Sequence, residues 1–172
     1  MHARVRNQAG FGLIELLISM TMLNVGILAL VAAFQSGAFA LNRASKLSTA
    51  AALADIQMER FRAVKYAAIW LDGTAVAAIS SSDAYKLDAT YVANPTQLTG
   101  CTGSPAPEEC QPTRNVTGPD GKLYRVDTYI IYDSVASARL LKRVTIVVRD
   151  RSDINGRALA RIASTFDEST GS

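Results

Sequence analysis

Three residues of this chain combine a chemically active side chain with an informative position: Glu15, Cys101 and Cys110. Glu15 directly precedes a run of 26 uncharged residues, 16–41, and the next charged residue along the chain is Arg43. A carboxylate beside hydrocarbon costs several kcal/mol unless it is paired, and ionisable groups in such places usually serve a function. We therefore expect Glu15 to make a specific contact.

The two cysteines, Cys101 and Cys110, enclose eight residues that include glycine and proline, and such a loop cannot pack a core of its own. The single histidine is His2, so the chain has too few nitrogen and sulfur ligands for a zinc site. If the apolar run exports the downstream residues into an oxidising compartment, a local disulfide is the favoured prediction. Free thiols are the alternative.

Other reactive patterns find no support in the sequence. The chain has no Gly-x-Ser-x-Gly, no phosphate-binding glycine loop and no His-Glu-x-x-His. Asp150 and Asp153 are typical of a solvated turn rather than of a calcium site. We therefore expect neither enzymatic activity nor a cofactor.

The charge balance does not indicate a nucleic-acid partner. The chain has 18 basic and 15 acidic residues, a net charge of +3. Arg4 and Arg6 lie in the first ten residues, and without that segment 16 basic residues face 15 acidic ones. No basic face interleaved with aromatic residues remains, and such a face is what nucleic-acid binding would require.

The elements that position Glu15 are a basic leader and a long apolar run. Residues 1–10 are polar and basic, as the positive-inside rule expects of a cytoplasmic segment. The run 16–41 is long enough to cross a hydrocarbon core, which needs about 20 residues. A cleaved secretory signal ending at Ala38-Phe39-Ala40 is one alternative, but its apolar region usually has about 7–15 residues, and Glu15 would then have no role. A plain uncleaved membrane anchor is another.

A third interpretation comes from the local motif. Gly10-Phe11-Gly12-Leu13-Ile14-Glu15, followed by Leu16-Leu17-Ile18, resembles the processing site of type IV prepilins and pseudopilins. The resemblance implies that residues 1–10 are a prepilin leader and that a prepilin peptidase cleaves between Gly10 and Phe11. It also implies N-methylation of Phe11 and an assembly contact between Glu15 and the terminal amine of a neighbouring subunit. Gly12 departs from the family, which usually has Thr or Ser at that position.

The resemblance also implies partners and a location. Its partners would be the prepilin peptidase, other pilin subunits through the amino-terminal helix, an inner-membrane assembly platform and the lipid bilayer. The chain would cross the cytoplasmic membrane once, with an extracytoplasmic carboxy-terminal domain, and would then enter a surface pilus or a periplasmic pseudopilus.

The segments Asn24-Val25-Gly26-Ile27-Leu28 and Ala52-Leu53-Ala54-Asp55 are most similar to a minor-pilin subgroup, whose members prime or modify pilus assembly. A minor pseudopilin of a type II secretion system is an alternative. A membrane-anchored extracytoplasmic domain for binding or adhesion is an alternative of another class.

The helix is predicted to continue beyond the apolar run. Apolar residues recur at spacings of 4 and 3 on one helix face, a pattern that predicts an amphipathic helix packed on the rest of the chain: Ala40, Ala44, Leu47, Ala51, Ala54, Met58 and Phe61. A coiled-coil dimer is the alternative for this stripe. We expect residues 11–36 to form the transmembrane half of one helix and residues 37–70 its amphipathic half.

The rest of the chain is predicted to form a sheet. Residues 71–122 are a turn-rich connection that holds the Cys101–Cys110 loop, and residues 123–172 are an antiparallel β-meander with a frayed tail. Strands are predicted at 123–132, 140–149 and 159–166, and Val147 predicts partial burial of the second strand on both faces. The expected class is α+β, a type IV pilin-like fold with a long amino-terminal α-helix on an antiparallel sheet of three or more strands.

Overall fold

The computed structural model describes residues 12–101, 107–133 and 140–168. The chain divides into two compact units, Met1–Arg43 and Ala44–Ser172, and helix α1, Leu13–Ala63, contributes to both. Three short helices come next, α2 (Gly73–Ala78), α3 (Ala84–Leu87) and α4 (Ala89–Ala93). The strands come last: β1 (Thr113–Thr117), β2 (Leu123–Asp133), β3 (Leu141–Asp150) and β4 (Ala160–Phe166).

The first unit holds the amino-terminal part of α1. Its described residues are all exposed, although an 18-residue window of the helix has a mean hydropathy of 2.2. By length and composition this helix can cross a membrane. Two of its side-chain hydroxyls bond within the helix: Ser19 Oγ donates to the Glu15 carbonyl at 2.7 Å and Thr21 Oγ1 donates to the Ile18 carbonyl at 2.8 Å. Such local bonding lets polar side chains lie in an apolar helix.

In the second unit, the remainder of α1 packs on one face of a four-stranded antiparallel sheet. The strand order is β1-β2-β3-β4, so every strand pairs with its neighbour in the chain. The core joins Ala50, Leu53, Ala54, Met58 and Phe61 of the helix to apolar residues of the strands, chiefly Val126, Ile130, Val144, Ile146 and Val148. Burial of each large side chain contributes about 1.5–3 kcal/mol. The predicted α+β class is confirmed, and this arrangement matches the pilin-like fold.

The predicted stripe of α1 is correct in its second half and wrong in its first. Ala54, Met58 and Phe61 are buried, whereas Ala51 is exposed and Leu47 is 40% exposed. The buried face of the helix begins only at Thr49. At 3.6 residues per turn, Ala51 lies about 60° around the helix from Ala54, at the border of that face.

Helix α1 ends at Ala63, several residues before the boundary predicted at residue 70. Lys65 is extended, with ψ 148°, and a single 3-10 turn covers Tyr66–Ala68. The Nζ of Lys142 donates to the carbonyls of Tyr66 and Ile69 at 2.9 and 3.0 Å. A cation from the sheet thus binds carbonyl oxygens that a continuing helix would have used itself.

The three predicted strands are present with boundaries within one residue, but β1 lies in the segment that was predicted to be turn-rich. Its sequence, Thr113-Arg114-Asn115-Val116-Thr117, is short and polar, as edge strands often are. The turn into β2 needs glycine twice. Gly121 has φ +72°, and a Cβ at Gly118 would lie 2.7 Å from Thr49 Cγ2 of the helix.

The connecting region is more helical than expected, and aspartates explain this. The carboxylates of Asp72, Asp83 and Asp88 accept backbone N–H bonds at 2.8 Å from the residue two positions ahead, at the starts of α2, α3 and α4. An aspartate at this position satisfies donors that a helix start leaves unpaired. Three such caps hold helices that are too short to persist alone.

Candidate functional site

Glu15 lies in the first turn of α1, and its surroundings decide what it can do. The helix begins at Leu13, and the backbone N–H groups of Glu15 and Leu16 donate to the Gly12 carbonyl at 3.0 and 3.2 Å. A carboxylate in a first turn is stabilised by the positive end of the helix dipole. Within the described residues, the Glu15 carboxylate is exposed and has no ion-pair partner.

Gly10 and Phe11, the predicted cleavage and N-methylation positions, lie outside the described residues. Around Glu15 the helix presents a bare apolar surface, on which Leu13, Ile14, Leu16 and Leu17 are all more than half exposed. A carboxylate on such a surface has no acid–base partner among the described residues, and the chemistry open to it is to pair with a cation.

The two cysteines form a disulfide, as predicted. Cys110 is buried, and the disulfide lies next to an isolated parallel β-bridge between Leu71 and Thr99. The backbone N–H of Cys101 donates to the Leu71 carbonyl at 3.2 Å, and the N–H of Asp72 donates to the Cys110 carbonyl at 2.9 Å. The bridge closes the connecting region onto the segment directly after α1.

The disulfide loop is also tied to helix α1 by charge. Glu108 Oε2 lies 3.2 Å from Arg60 Nη1 and 2.5 Å from Arg114 Nη2, and Arg114 Nη1 donates to Gln57 Oε1 at 3.1 Å. Burial lowers the pKa of Arg114, and the Arg60 charge lowers it further. These contacts hold the connecting region against the helix, and their role is structural.

A cluster of six charged side chains, four of them buried, lies on the sheet face away from α1 and was not predicted. We call it the ionic cluster; it consists of Asp83, Asp88, Arg125, Asp127, Arg149 and Arg161. Arg125 Nε lies 2.7 Å from Asp127 Oδ1, and Arg149 Nη1 lies 2.6 Å from Asp127 Oδ2. Asp127 is fully buried between these two guanidinium groups. Pairing on both sides is what makes such a charge tolerable in an interior.

The same cluster fastens the short helices α3 and α4 to the sheet. Arg149 also pairs with Asp88, the cap of α4, and Arg161 Nη2 lies 2.8 Å from the same carboxylate. Arg125 pairs with Asp83, the cap of α3. Asp83 and Asp88 therefore each cap the start of a short helix and also form an ion pair with an arginine of the sheet.

The pKa values of the three carboxylates in the ionic cluster shift in different directions. Burial alone would raise the pKa of Asp88, but hydrogen bonds from Arg161 and Thr90 hold it well below its usual range. The hydrogen bond from Arg125 likewise lowers the pKa of Asp83. Burial raises the pKa of Asp127 in spite of Arg125 and Arg149.

Two tyrosines complete this face. The rings of Tyr85 and Tyr129 stack with centroids 4.4 Å apart, and Val147 packs against them. Tyr85 Oη donates to the Thr128 carbonyl at 2.9 Å, and Tyr129 Oη donates to the Tyr85 carbonyl at 3.1 Å. Two local signals in the sequence point to this face, the run Asp83-Ala84-Tyr85 and the apolar Val147. No sequence pattern, however, links these residues to the arginines of the ionic cluster, which lie far away in the chain.

The described residues contain no group of three His, Cys, Asp or Glu side chains that could hold a metal ion. The ionic cluster is internally neutral, with three arginines for three aspartates, and its charges are used on one another. The role of the cluster is therefore structural: it holds α3 and α4 on the sheet.

Comparison with known proteins assigns the amino-terminal segment. Residues 5–31 match the family model described as the prokaryotic N-terminal methylation motif. No curated protein matches the chain, and no solved structure matches it. The matched residues contain Gly10, Phe11 and Glu15 and the first half of the apolar run.

The motif implies processing by a prepilin peptidase and assembly with other pilins, and together with the apolar helix it indicates a membrane-anchored, single-pass protein. The chain therefore carries the methylation motif that marks type IV prepilin-like proteins, and its long apolar amino-terminal helix fits that assignment.

Proposed function

We propose that this chain is a minor type IV pilin-like structural subunit. A prepilin peptidase cleaves it between Gly10 and Phe11 and methylates the new amine of Phe11. The mature subunit enters a pilus through its amino-terminal helix, at the inner-membrane assembly platform, and primes or modifies assembly there. Its role is structural and requires no catalysis or cofactor.

The position of Glu15 is the observation that carries this proposal. Its carboxylate lies on an exposed apolar helix start, and no described residue neutralises it. A neighbouring subunit's terminal amine supplies the missing cation when subunits associate along their helices. In an apolar surrounding, the attraction of a well-aligned pair offsets the desolvation of both groups, whereas an unpaired carboxylate is strongly unfavourable. The charge therefore favours one axial register between neighbours.

Terminal analysis of the mature protein tests the processing step. The full-length chain is produced in cells that have a prepilin peptidase, purified from membranes and sequenced by mass spectrometry. The mature chain is expected to begin at N-methyl-Phe11. A chain beginning at Leu41 would establish a cleaved signal, and an intact Met1 would establish a plain anchor; either result rejects the proposal.

A substitution at Glu15 tests the assembly contact. Glu15→Gln keeps the shape of the side chain and removes its charge, so the loss of one well-placed ion pair is expected to reduce incorporation into sheared filaments at least about tenfold. Glu59→Gln is the matched control, because Glu59 is an exposed glutamate on the same helix whose ion pair with Arg62 is also exposed. Wild-type incorporation of Glu15→Gln, at equal membrane abundance, would remove the basis of the proposal.

Filament pull-down then separates the alternatives. Co-purification with pilus subunits supports the minor-pilin role, and co-purification with subunits of a secretion pseudopilus reassigns the chain as a minor pseudopilin. A chain that is not cleaved by the prepilin peptidase and co-purifies with no filament subunit would be a membrane-anchored binding or adhesion domain.

A further inference from the structure

Three carboxamide side chains of the first unit lie on one face of helix α1. Asn24, Gln35 and Asn42 are separated by 11 and 7 residues, which are close to three and two whole turns of about 3.6 residues. All three residues are exposed, and they belong to Met1–Arg43, so this face is defined within one compact unit. We call the three residues the carboxamide stripe.

Asn24 is the member of the stripe whose surroundings demand a partner. It lies in the middle of the predicted transmembrane half, residues 11–36, about 18–20 Å along the helix from either end. Its carboxamide has no hydrogen-bond partner among the described residues, whereas the hydroxyls of Ser19 and Thr21 bond to carbonyls of the helix itself. A polar amide that enters hydrocarbon without a hydrogen bond is unfavourable, and a polar group on a neighbouring helix removes that cost.

The chemistry of the stripe selects a second copy of this chain as the partner. A carboxamide has both donors and an acceptor, so two copies of the same side chain bond to each other. The basic residues 1–10 orient every inserted copy in the same direction, and the stripes of two helices therefore lie at matching depths. A parallel pair with a two-fold axis along the membrane normal joins each carboxamide to its equivalent in the other copy.

The carboxamide stripe leaves Glu15 free. Glu15 precedes Asn24 by nine residues, or about two and a half turns, which places the two side chains on opposite sides of the helix. The two sides also need different partners, because a carboxylate pairs with a cation and a carboxamide pairs with neutral donors and acceptors. One chain can therefore bind a second copy through the stripe while its Glu15 stays open to the terminal amine of a neighbouring subunit.

We propose that the carboxamide stripe pairs two copies of this chain in the membrane as a parallel dimer, held by a hydrogen bond between the two Asn24 side chains. Gln35 lies at the end of the predicted transmembrane half and Asn42 lies beyond it, where water competes for their hydrogen bonds. Asn24 therefore supplies the specific contact in hydrocarbon, and the other two extend the same face. The inference rests on the membrane insertion contained in the proposed function, and it adds a contact between copies that is distinct from the Glu15 contact.

Single cysteines on the two sides of the helix test which face makes this contact. Val31→Cys lies beside the stripe, about two turns after Asn24, and Ala33→Cys lies two residues further, on the opposite side. Both native cysteines are used in the Cys101–Cys110 bridge, so the introduced thiol is free to report on a neighbour.

Each full-length variant is produced in cells that lack the other pilus components, and their membrane vesicles are oxidised with copper phenanthroline. Val31→Cys is expected to give at least about fivefold more disulfide-linked dimer than Ala33→Cys, because a disulfide requires Cα atoms within about 7 Å of each other. Mass spectrometry of the linked band identifies the partner.

Substitutions at Asn24 test the hydrogen bond itself, each combined with Val31→Cys. Asn24→Leu removes the carboxamide and makes the segment more apolar, so it does not weaken insertion. It is expected to reduce the linked dimer about threefold to tenfold, the effect of one hydrogen bond between transmembrane helices. Asn24→Gln keeps a carboxamide and is expected to retain the dimer. Ser19→Ala is the matched control, since its hydroxyl already bonds to the Glu15 carbonyl within the helix.

Protection of the Val31→Cys thiol from a membrane-impermeant maleimide, measured before oxidation, reports insertion. If the thiol is protected, absent or equal crosslinking of Val31→Cys and Ala33→Cys would overturn the inference and leave the proposed function intact. An unchanged dimer in Asn24→Leu would have the same meaning, and so would a crosslink that joins Val31→Cys to a different protein. An unprotected thiol would reject the membrane insertion on which both proposals rest.

Discussion

Both faces of the sheet hold fully buried side chains, but the two faces are covered by opposite chemistry. Ile146 points toward helix α1 and Asp127 toward α3 and α4, and both are fully buried. The first face is made of valine and isoleucine against a long helix, and the second of arginine, aspartate and stacked tyrosine against two short ones. The long helix provides enough apolar area to bind by hydrophobic contact, whereas the short helices are fastened by ion pairs.

This difference in chemistry predicts how the stability of each face responds to a substitution. An apolar contact that loses a methyl group leaves a small cavity, and its cost scales with the volume removed. An ion pair that loses one partner leaves a buried charge without compensation, and its cost is set by desolvation. The ionic face is therefore expected to be the more fragile one, although it covers less of the sheet.

The largest effect is expected at Arg149, which pairs with both Asp88 and Asp127. Arg149→Ala leaves two buried carboxylates short of a partner and is expected to lower the free energy of unfolding by about 3–5 kcal/mol. Urea unfolding of the disulfide-intact protein in detergent measures the change. Arg157→Ala, at an exposed site, is expected to stay within about 0.5 kcal/mol. A loss below about 1 kcal/mol at Arg149 would contradict the assigned role of the ionic cluster.

Acid should separate the two faces next, because the ionic face holds the buried carboxylates of Asp88 and Asp127. The pKa of Asp88 is lower in the folded chain than the value of about 3.9 in an unfolded one. Its stabilisation is therefore present above about pH 4 and is lost as the pH falls through the folded pKa. Asp83 acts with the same sign. The raised pKa of Asp127 acts with the opposite sign and offsets part of the loss.

The unfolding free energy is thus expected to fall from pH 4 to pH 2, and to fall less steeply in Asp88→Asn than in the wild type. Glu59→Gln, which changes an exposed carboxylate on α1, should leave the wild-type slope unchanged. The same slope in wild type and Asp88→Asn would show that acid acts elsewhere in the molecule.

The smallest effect is expected on the apolar face. Ile146→Val removes one buried methyl group and is expected to cost about 1 kcal/mol, since neighbouring side chains relax only in part. Its cost should be independent of pH between 2 and 7, in contrast to that of Arg149→Ala. A pH-dependent loss at Ile146 would mean that the two faces are coupled.

The same contrast explains how far the sequence could predict the fold. Val144, Ile146 and Val148 alternate with polar residues, which indicates one buried strand face, and Val147 correctly indicated cover on the other. Arg149 and Asp127 have the alternation of a solvated face, and their partners lie far away in the chain, so no local pattern reveals their burial. Strand β1 was missed because a short polar edge strand has the composition of a loop.

The candidate site divides in the same way. The disulfide was predictable because both cysteines lie in one short loop. The role proposed for Glu15 rests on its place before the apolar run, and the partner proposed for it belongs to another molecule, which the fold of a single chain does not contain. The ionic cluster needed the structure, because it joins residues from β2, β3, β4 and the caps of α3 and α4.

The strand order has a consequence for how the second unit forms during synthesis. Each strand pairs with the next one along the chain, so the sheet grows by local closures. The helix face from Thr49 to Phe61, however, leaves the ribosome about sixty residues before the start of β2 at Leu123. That apolar face must wait until the final third of the chain has been made. Folding of this unit is therefore a late event, set by completion of the carboxy terminus.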